Sequence, residues 1–165
     1  MILPLIESTR LRLRQYRASD LQHFAVLNSD PQVRSHVGGV LTQQQIDCHM
    51  ANFTAMTDPV DLWAWAVESA ETGEYIGHAW LMQQDGPYQP ESGILIARSH
   101  WGNRYAPEAM LEIVQFAYRE LGCASVHASV DTDNTKSIAM LHRAGFEYLV
   151  TEEDEEGSYF VFVCQ

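Results

Sequence analysis

Glu91-Ser92-Gly93-Ile94-Leu95-Ile96-Ala97-Arg98-Ser99-His100-Trp101-Gly102-Asn103-Arg104-Tyr105-Ala106-Pro107-Glu108-Ala109-Met110 combines three local patterns in twenty residues. Ile94 to Ala97 is a short apolar run of the kind a buried strand uses. Arg98 to Arg104 is polar, with one glycine and two arginines, and reads as a turn. Pro107 and Glu108 then open an amphipathic helix with Met110, Val114, Ala117 and Leu121 on one face. Proline suits a first helical turn because its missing N–H has no partner there, and Glu108 suits the positive end of the helix dipole. Gly122 is the natural stop. Strand, amide-rich turn and helix N-terminus aim several backbone N–H groups at one place, where an anion can sit.

Toward the N-terminus, Thr9 to Tyr16 alternates Leu11 and Leu13 with Arg10, Arg12 and Arg14, which predicts a half-exposed strand. Ser19-Asp20 is placed to cap a helix carrying Leu21, Phe24, Ala25 and Leu27 inward. Thr42 caps a second helix with Ile46, Met50 and Phe53, ending before Asp58-Pro59. Between these helices, Arg34 to Leu41 is a glycine-containing loop able to border a cleft. Leu62 to Glu68 and Tyr75 to Met82 read as an antiparallel hairpin around Glu71-Thr72-Gly73-Glu74.

Toward the C-terminus, Ala124 to Asp131 is a strand and Asn134 to Ala144 a short helix stopped by Gly145. Phe146 to Val150 and Tyr159 to Val163 form a last hairpin. Its turn is the natural home of the acidic run Glu152 to Glu156, where the charges stay solvated. The order is β-α-α-β-β-β-α-β-α-β-β: an α+β domain over 1–165, with about seven strands in a mainly antiparallel sheet and four helices. The Ile94 strand, its crossover helix and the Val126 strand form a right-handed parallel unit.

A chain of 165 residues, 46% apolar, buries a substantial core as one domain. It shows no signal peptide and no apolar stretch approaching the roughly 18 residues of a membrane span. Cys48, Cys123 and Cys164 form no CxxC pair and read as reduced thiols of a cytoplasmic protein. The formal charge is −12, with nine arginines and the single lysine Lys136. That balance disfavours nucleic acid and favours a cationic partner, unless the acidity serves only solubility.

These residues resemble the GNAT superfamily of acetyl-CoA-dependent N-acetyltransferases, most closely the Rim-type branch that acetylates N-terminal amines of ribosomal proteins. The resemblance rests on Thr9-Arg10-Leu11-Arg12-Leu13-Arg14, on Trp101-Gly102-Asn103-Arg104-Tyr105-Ala106-Pro107-Glu108-Ala109, and on Asn134-Thr135-Lys136-Ser137-Ile138 followed by Gly145-Phe146. It implies the GNAT fold, with acetyl-CoA as co-substrate. The strand Ile94-Leu95-Ile96 then offers backbone groups to the pantetheine arm. The family's pyrophosphate loop, Gln/Arg-x-x-Gly-x-Gly/Ala, falls on Trp101, Gly102, Asn103, Arg104, Tyr105 and Ala106. Trp101 replaces the usual Gln or Arg, and Arg104 replaces the central glycine. Arg104 fits there with a helical φ and adds a contact to phosphate, or else weakens cofactor binding. Asn134 matches the asparagine near the cofactor, a role compatible with a helix N-cap. Leu141 stands where many relatives carry a tyrosine acid. Ser137, one turn earlier, is the implied proton donor to the thiolate, or else an ordinary helical serine.

Amide formation from a thioester needs a neutral amine. A lysine-like amine of pKa ~10.4 is roughly 0.05% neutral at pH 7, whereas an α-amine near ~7.7–8 is about a tenth neutral. Glu91, at the entry of the central strand, is the first choice of base, its plainer reading being an exposed loop-end glutamate. His78 and His127, on flanking strands, are further base candidates whose plainer reading is a half-buried strand residue, and Asp131, at a strand end, is placed to attract the ammonium or to cap a turn. Trp63, Trp65, Trp80 and Tyr88 are placed to line an acceptor site or to pack a sheet face. The seven histidines show no metal-ligand spacing, so no metal is expected. The expectation is transfer of acetyl to a primary amine, a protein N-terminal α-amine foremost, by direct attack in a ternary complex, the enzyme being a monomer or homodimer. A small cationic amine as acceptor, a polyamine or aminoglycoside, or an acyl-CoA-binding module without turnover, is the alternative.

Overall fold

The computed structural model describes residues 3–56, 61–83 and 85–165. In chain order it contains strands β1 (Ile6–Glu7) and β2 (Leu11–Arg14), helices α1 (Leu21–Ser29) and α2 (Gln43–Thr54), and strands β3 (Leu62–Ser69), β4 (Tyr75–Met82) and β5 (Glu91–Ile96). Helix α3 (Tyr105–Glu120), strand β6 (Val126–Asp131), helix α4 (Thr135–Arg143) and the hairpin β7 (Glu147–Asp154) and β8 (Gly157–Cys164) complete it. One eight-stranded sheet runs β1-β2-β3-β4-β5-β6-β8-β7, antiparallel at each junction except β5 with β6.

Helices cover both faces of this sheet, each burying a separate apolar cluster. Alternation along β3 sends Trp63, Trp65 and Val67 to the cluster under α3, and Ala64 and Ala66 to the one under α1 and α2. Helix α3 buries Ala109, Met110, Ile113, Val114, Phe116 and Ala117, the spacing that keeps one helical face inward. Strand β1 is the element not expected from the sequence: two residues show no alternation. Helix α3 starts at Tyr105, two residues before Pro107, and β5 already begins at Glu91.

Thr42 does cap α2: its hydroxyl accepts the Gln45 N–H at 3.3 Å while Gln45 Oε1 accepts the Thr42 N–H at 2.8 Å. The Asp58-Pro59 stop expected for this helix lies outside the described residues. Asp20, expected as a cap for α1, does something else. Its carboxylate takes both outer nitrogens of Arg14, at 2.8 and 3.0 Å, and the Arg17 amide at 2.7 Å. Glu68 takes the Arg14 Nε, so two carboxylates enclose one guanidinium beneath the surface. The acidic run also departs from expectation. The strands of the last hairpin continue into it, and only Glu155 and Glu156 remain for the turn.

The parallel junction is the feature that makes a site. Strands β5 and β6 share one pairing, Glu91 with His127, and then part. Beyond that vertex the β5 edge facing β6 has no neighbouring ladder, and a wedge opens into the sheet.

Candidate active site

Two cavities of about 780 and 820 Å³ occupy the wedge and share Ser35, His36, Val37, Ile94, Asn134 and Ser137 among their walls. They are one cleft with a waist, and its two halves differ in charge. The half toward the vertex holds Glu91, Asp131, Asp133, Asp154 and Glu156, with no lysine or arginine. The half toward the start of α3 holds Arg104, Lys136 and Arg143, with Asp133 its one carboxylate. The chain's only lysine thus lies where an anion would be held.

In the basic half, Ile94, Leu95 and Ile96 form one wall, and Trp101, Gly102, Arg104, Tyr105 and Ala106 form the floor. Asn103 is absent from the wall: its carbonyl accepts the Arg10 guanidinium at 3.0 Å and its side-chain amide donates to His100 O at 3.1 Å. Trp101 turns its N–H back onto Ile96 O at 2.8 Å, closing the strand-to-helix turn, and carries Lys136 Nζ 5.2 Å above its ring. Arg104 has φ 59° and ψ 33°, the one described non-glycine residue with positive φ. The helical φ expected of it is therefore left-handed, not right-handed. That conformation costs an L-residue roughly 1–2 kcal/mol, and it preserves the backbone path a glycine would take. Helix α3 begins directly after it, so the free amides of its first turn lie at this floor.

In the acidic half, Glu91 is partly buried at the vertex. Burial pushes its carboxyl up from the usual range, opposed by hydrogen bonds from the side chain and backbone of Ser129. Trp80 stands opposite Gly93 across the β4–β5 ladder, and a Cβ at Gly93 would come within 2.1 Å of its ring. The missing side chain lets the indole lie over β5 and wall the cleft. Asn134 caps α4 by accepting the Ser137 N–H at 3.2 Å, which fixes the turn that presents Ser137 at the waist. Leu141 is buried against the core.

His36 was not singled out by sequence, although its loop was expected to border a cleft. Arg34 shapes that loop by donating to Gly39 O at 2.7 Å, Asn28 Oδ1 at 3.1 Å and Val37 O. The result sets His36 Nδ1 2.8 Å from Asp131 Oδ2 and 3.6 Å from Asp133 Oδ1. Their ligand-type atoms lie within 4.8 Å of one another. A carboxylate on Nδ1 fixes the imidazole's orientation and leaves Nε2 as the nitrogen able to act.

Several sequence candidates lie elsewhere. Trp63 and Trp65 belong to the core under α3, and the Trp65 N–H donates to Pro4 O at 3.0 Å. Tyr88 donates to Glu152 at 2.6 Å and, of the four aromatics, only Trp80 lines the cleft. His78 is buried between Phe53 and Trp80, with Nδ1 2.8 Å from Tyr16 Oη. Burial, with His49 and Arg34 nearby, lowers its pKa to about 3, which removes it as a base at neutral pH. His127 is buried, and burial lowers its pKa too.

Residues 10–147 match the family model described as "Acetyltransferase (GNAT) domain". The Bacillus subtilis protein described as "Uncharacterized N-acetyltransferase YoaA" is 28% identical over 150 residues, covering 87% of this chain and 83% of that one. The crystal structure of an acetyltransferase from Agrobacterium tumefaciens C58 superposes with TM-score 0.80 at 26% identity, covering 100% of this chain and 96% of the other. A Vibrio cholerae spermidine N-acetyltransferase, solved with CoA and spermine, has the same fold at 17% identity (TM-score 0.80; 95% and 96% covered). A sheet split between β5 and β6, a left-handed residue before α3 and this match over most of the chain lead to one conclusion: the chain belongs to the GNAT family of N-acetyltransferases, enzymes that draw the acetyl group from acetyl-CoA.

Proposed function

We propose that the two halves of the cleft are the two substrate sites of this N-acetyltransferase, and that the acceptor is a small amine carrying more than one positive charge. The observation that carries this reading is the charge division: three cationic side chains face one half alone, four carboxylates face the other alone, and Asp133 borders both. The basic half fits coenzyme A. Arg104, Lys136 and Arg143 would meet its phosphates, with the free amides at the start of α3. The open edge of Ile94-Leu95-Ile96 would take the pantetheine arm as an added strand does. Acetyl-CoA supplies the acetyl group already activated as a thioester.

The protein's own groups do the rest in a ternary complex. Glu91, Asp131, Asp154 and Glu156 hold the cation, and Glu91, directly or through water, takes the proton that leaves the attacking nitrogen. A backbone N–H between Ile94 and Ile96 faces the developing oxyanion. Ser137 Oγ, at the waist, donates its hydrogen bond to the departing sulfur and hands over that proton as it takes one from solvent water. A second reading of the base is favoured by the His36–Asp131 contact, which also stands at the waist. A protein N-terminal α-amine, the acceptor of Rim-type enzymes, is the second reading of the substrate: its pKa of ~7.7–8 demands least of any base.

Thiol release from acetyl-CoA with polyamines, single-charge amines and peptide N-termini tests the acceptor. Turnover confined to peptides would transfer the proposal to the second reading. Ser137→Ala is expected to lower kcat about tenfold or more, with the KM for acetyl-CoA little changed. Equal rates would remove Ser137 from the mechanism.

A further inference from the structure

We infer that Arg10 is a positioning residue for the cofactor loop, doing from outside the cleft the work that a glycine at position 104 would do from within. The inference rests on the loop 101–106 being the diphosphate site. Arg10 lies outside the cavity walls, yet its guanidinium donates to Asn103 O at 3.0 Å and to Arg104 O at 3.3 Å. These are the carbonyls of the peptide units before and after the left-handed residue. A trans peptide points its N–H opposite to its C=O. Drawing those two carbonyls toward Arg10 therefore aims the N–H groups of Arg104 and Tyr105 the other way, at the open side of the loop.

Arg10 is itself fixed by α3. Its backbone N–H donates to Glu108 Oε1 at 3.0 Å and its Nε to Glu108 Oε2 at 2.7 Å. Ser8 donates to the same carboxylate at 2.6 Å, and the guanidinium lies 4.8 Å above the Tyr105 ring. Burial would raise the Glu108 carboxyl, but Ser8 and Arg10 hold it below its usual range, so the clamp stays charged through neutral pH. The turn between β1 and β2 and the first turn of α3 thus close on the loop from behind. A left-handed arginine needs this support, because its side chain disfavours the conformation. A glycine would need it much less.

The test is a double-mutant cycle read by calorimetric CoA affinity, well below the melting temperature, in wild type, Arg10→Met, Arg104→Gly and the double variant. Pantetheine, which lacks the diphosphate, is the control ligand. Arg10→Met is expected to weaken CoA about tenfold, roughly 1.4 kcal/mol, and to leave pantetheine unchanged. In the Arg104→Gly background the same change should cost threefold or less. Steady-state kinetics should show the KM for acetyl-CoA rising while the KM for the amine stays put, and Arg10→Lys should recover part of the loss. If wild type binds CoA no tighter than pantetheine, the loop reading fails and the inference with it. If CoA is the tighter ligand and Arg10→Met preserves that gap, or costs the same in both backgrounds, Arg10 has no such role and the loop reading stands.

Discussion

His36 Nδ1 and Asp131 Oδ2 meet at 2.8 Å across 95 residues of chain, joining the α1–α2 loop to the end of β6. The contact closes the waist of the cleft and orients the imidazole. With Glu91 as the base, His36→Asn should lower kcat less than about tenfold, and Asp131→Asn added to it should change kcat little, because coupled residues are not additive, while raising the KM of the cationic amine that Asp131 helps to hold. A loss beyond about a hundredfold for His36→Asn, in kcat rather than KM, would transfer the base to His36.

Glu91→Gln removes the carboxylate that burial has pushed up. A base works when ionised, so the wild-type kcat/KM should fall as pH drops through that raised pKa. The Gln variant should lose this acidic limb together with a factor of about a hundred in kcat. The loss should be larger for amines of high pKa than for α-amines. An unchanged pH–rate profile would contradict the assignment.

Asp20→Asn should destabilise the fold by about 1.5–3 kcal/mol, the cost of losing charge-assisted hydrogen bonds to an Arg14 that keeps Glu68 as its partner. Burial alone would raise the Asp20 carboxyl, but Arg14 and the Arg17 amide hold it below the usual range. The stability this contributes is complete above the unfolded carboxylate pKa and is lost as pH falls through the lower folded value. Denaturant unfolding from pH 7 down to pH 2 checks it: the gap between wild type and variant should narrow only at the acid end.

His78 gives the opposite half of the acid profile. Its folded pKa of about 3 lies below the ordinary 6.5, so the unfolded chain takes up a proton that the folded chain refuses. Stability should be level above pH 6.5 from this group and fall between 6.5 and 3. His78→Phe should reduce that slope by about one proton, measured from midpoints of urea unfolding across the window.

Periodicity made most of the fold legible. Leu62–Glu68, Tyr75–Met82 and the face of α3 read directly from apolar spacing, because one partner layer dictates each pattern. The loop Trp101 to Ala106 read through its resemblance. What stayed hidden depends on contacts distant in sequence. Arg14 and Glu68 stand in alternating strands and Asp20 reads as a helix cap, and only packing makes them a buried trio. His36 sits in a loop with no pattern of its own, and its partner lies on another strand. Trp63 and Trp65, at alternate positions of one strand, read more readily as a packed sheet face than as a site, and the α3 layer is what they pack against. Arg104 was visible as a departure from the loop pattern. Its left-handed backbone, and the hold of Arg10 upon it, were not.

The most direct measurement compares kcat/KM for two primary amines of equal length, a triamine and a singly charged analogue, in wild type and in Asp154→Lys/Glu156→Lys. Each carboxylate near a second ammonium is worth about 1 kcal/mol at the distances and screening of an open cleft. Wild type should therefore favour the triamine at least tenfold, the preference should shrink in the charge-inverted variant, and the two proteins should share the same KM for acetyl-CoA. Equal use of the two amines by wild type, or release of no thiol with either, would contradict the division of the cleft into a cofactor half and a cation half.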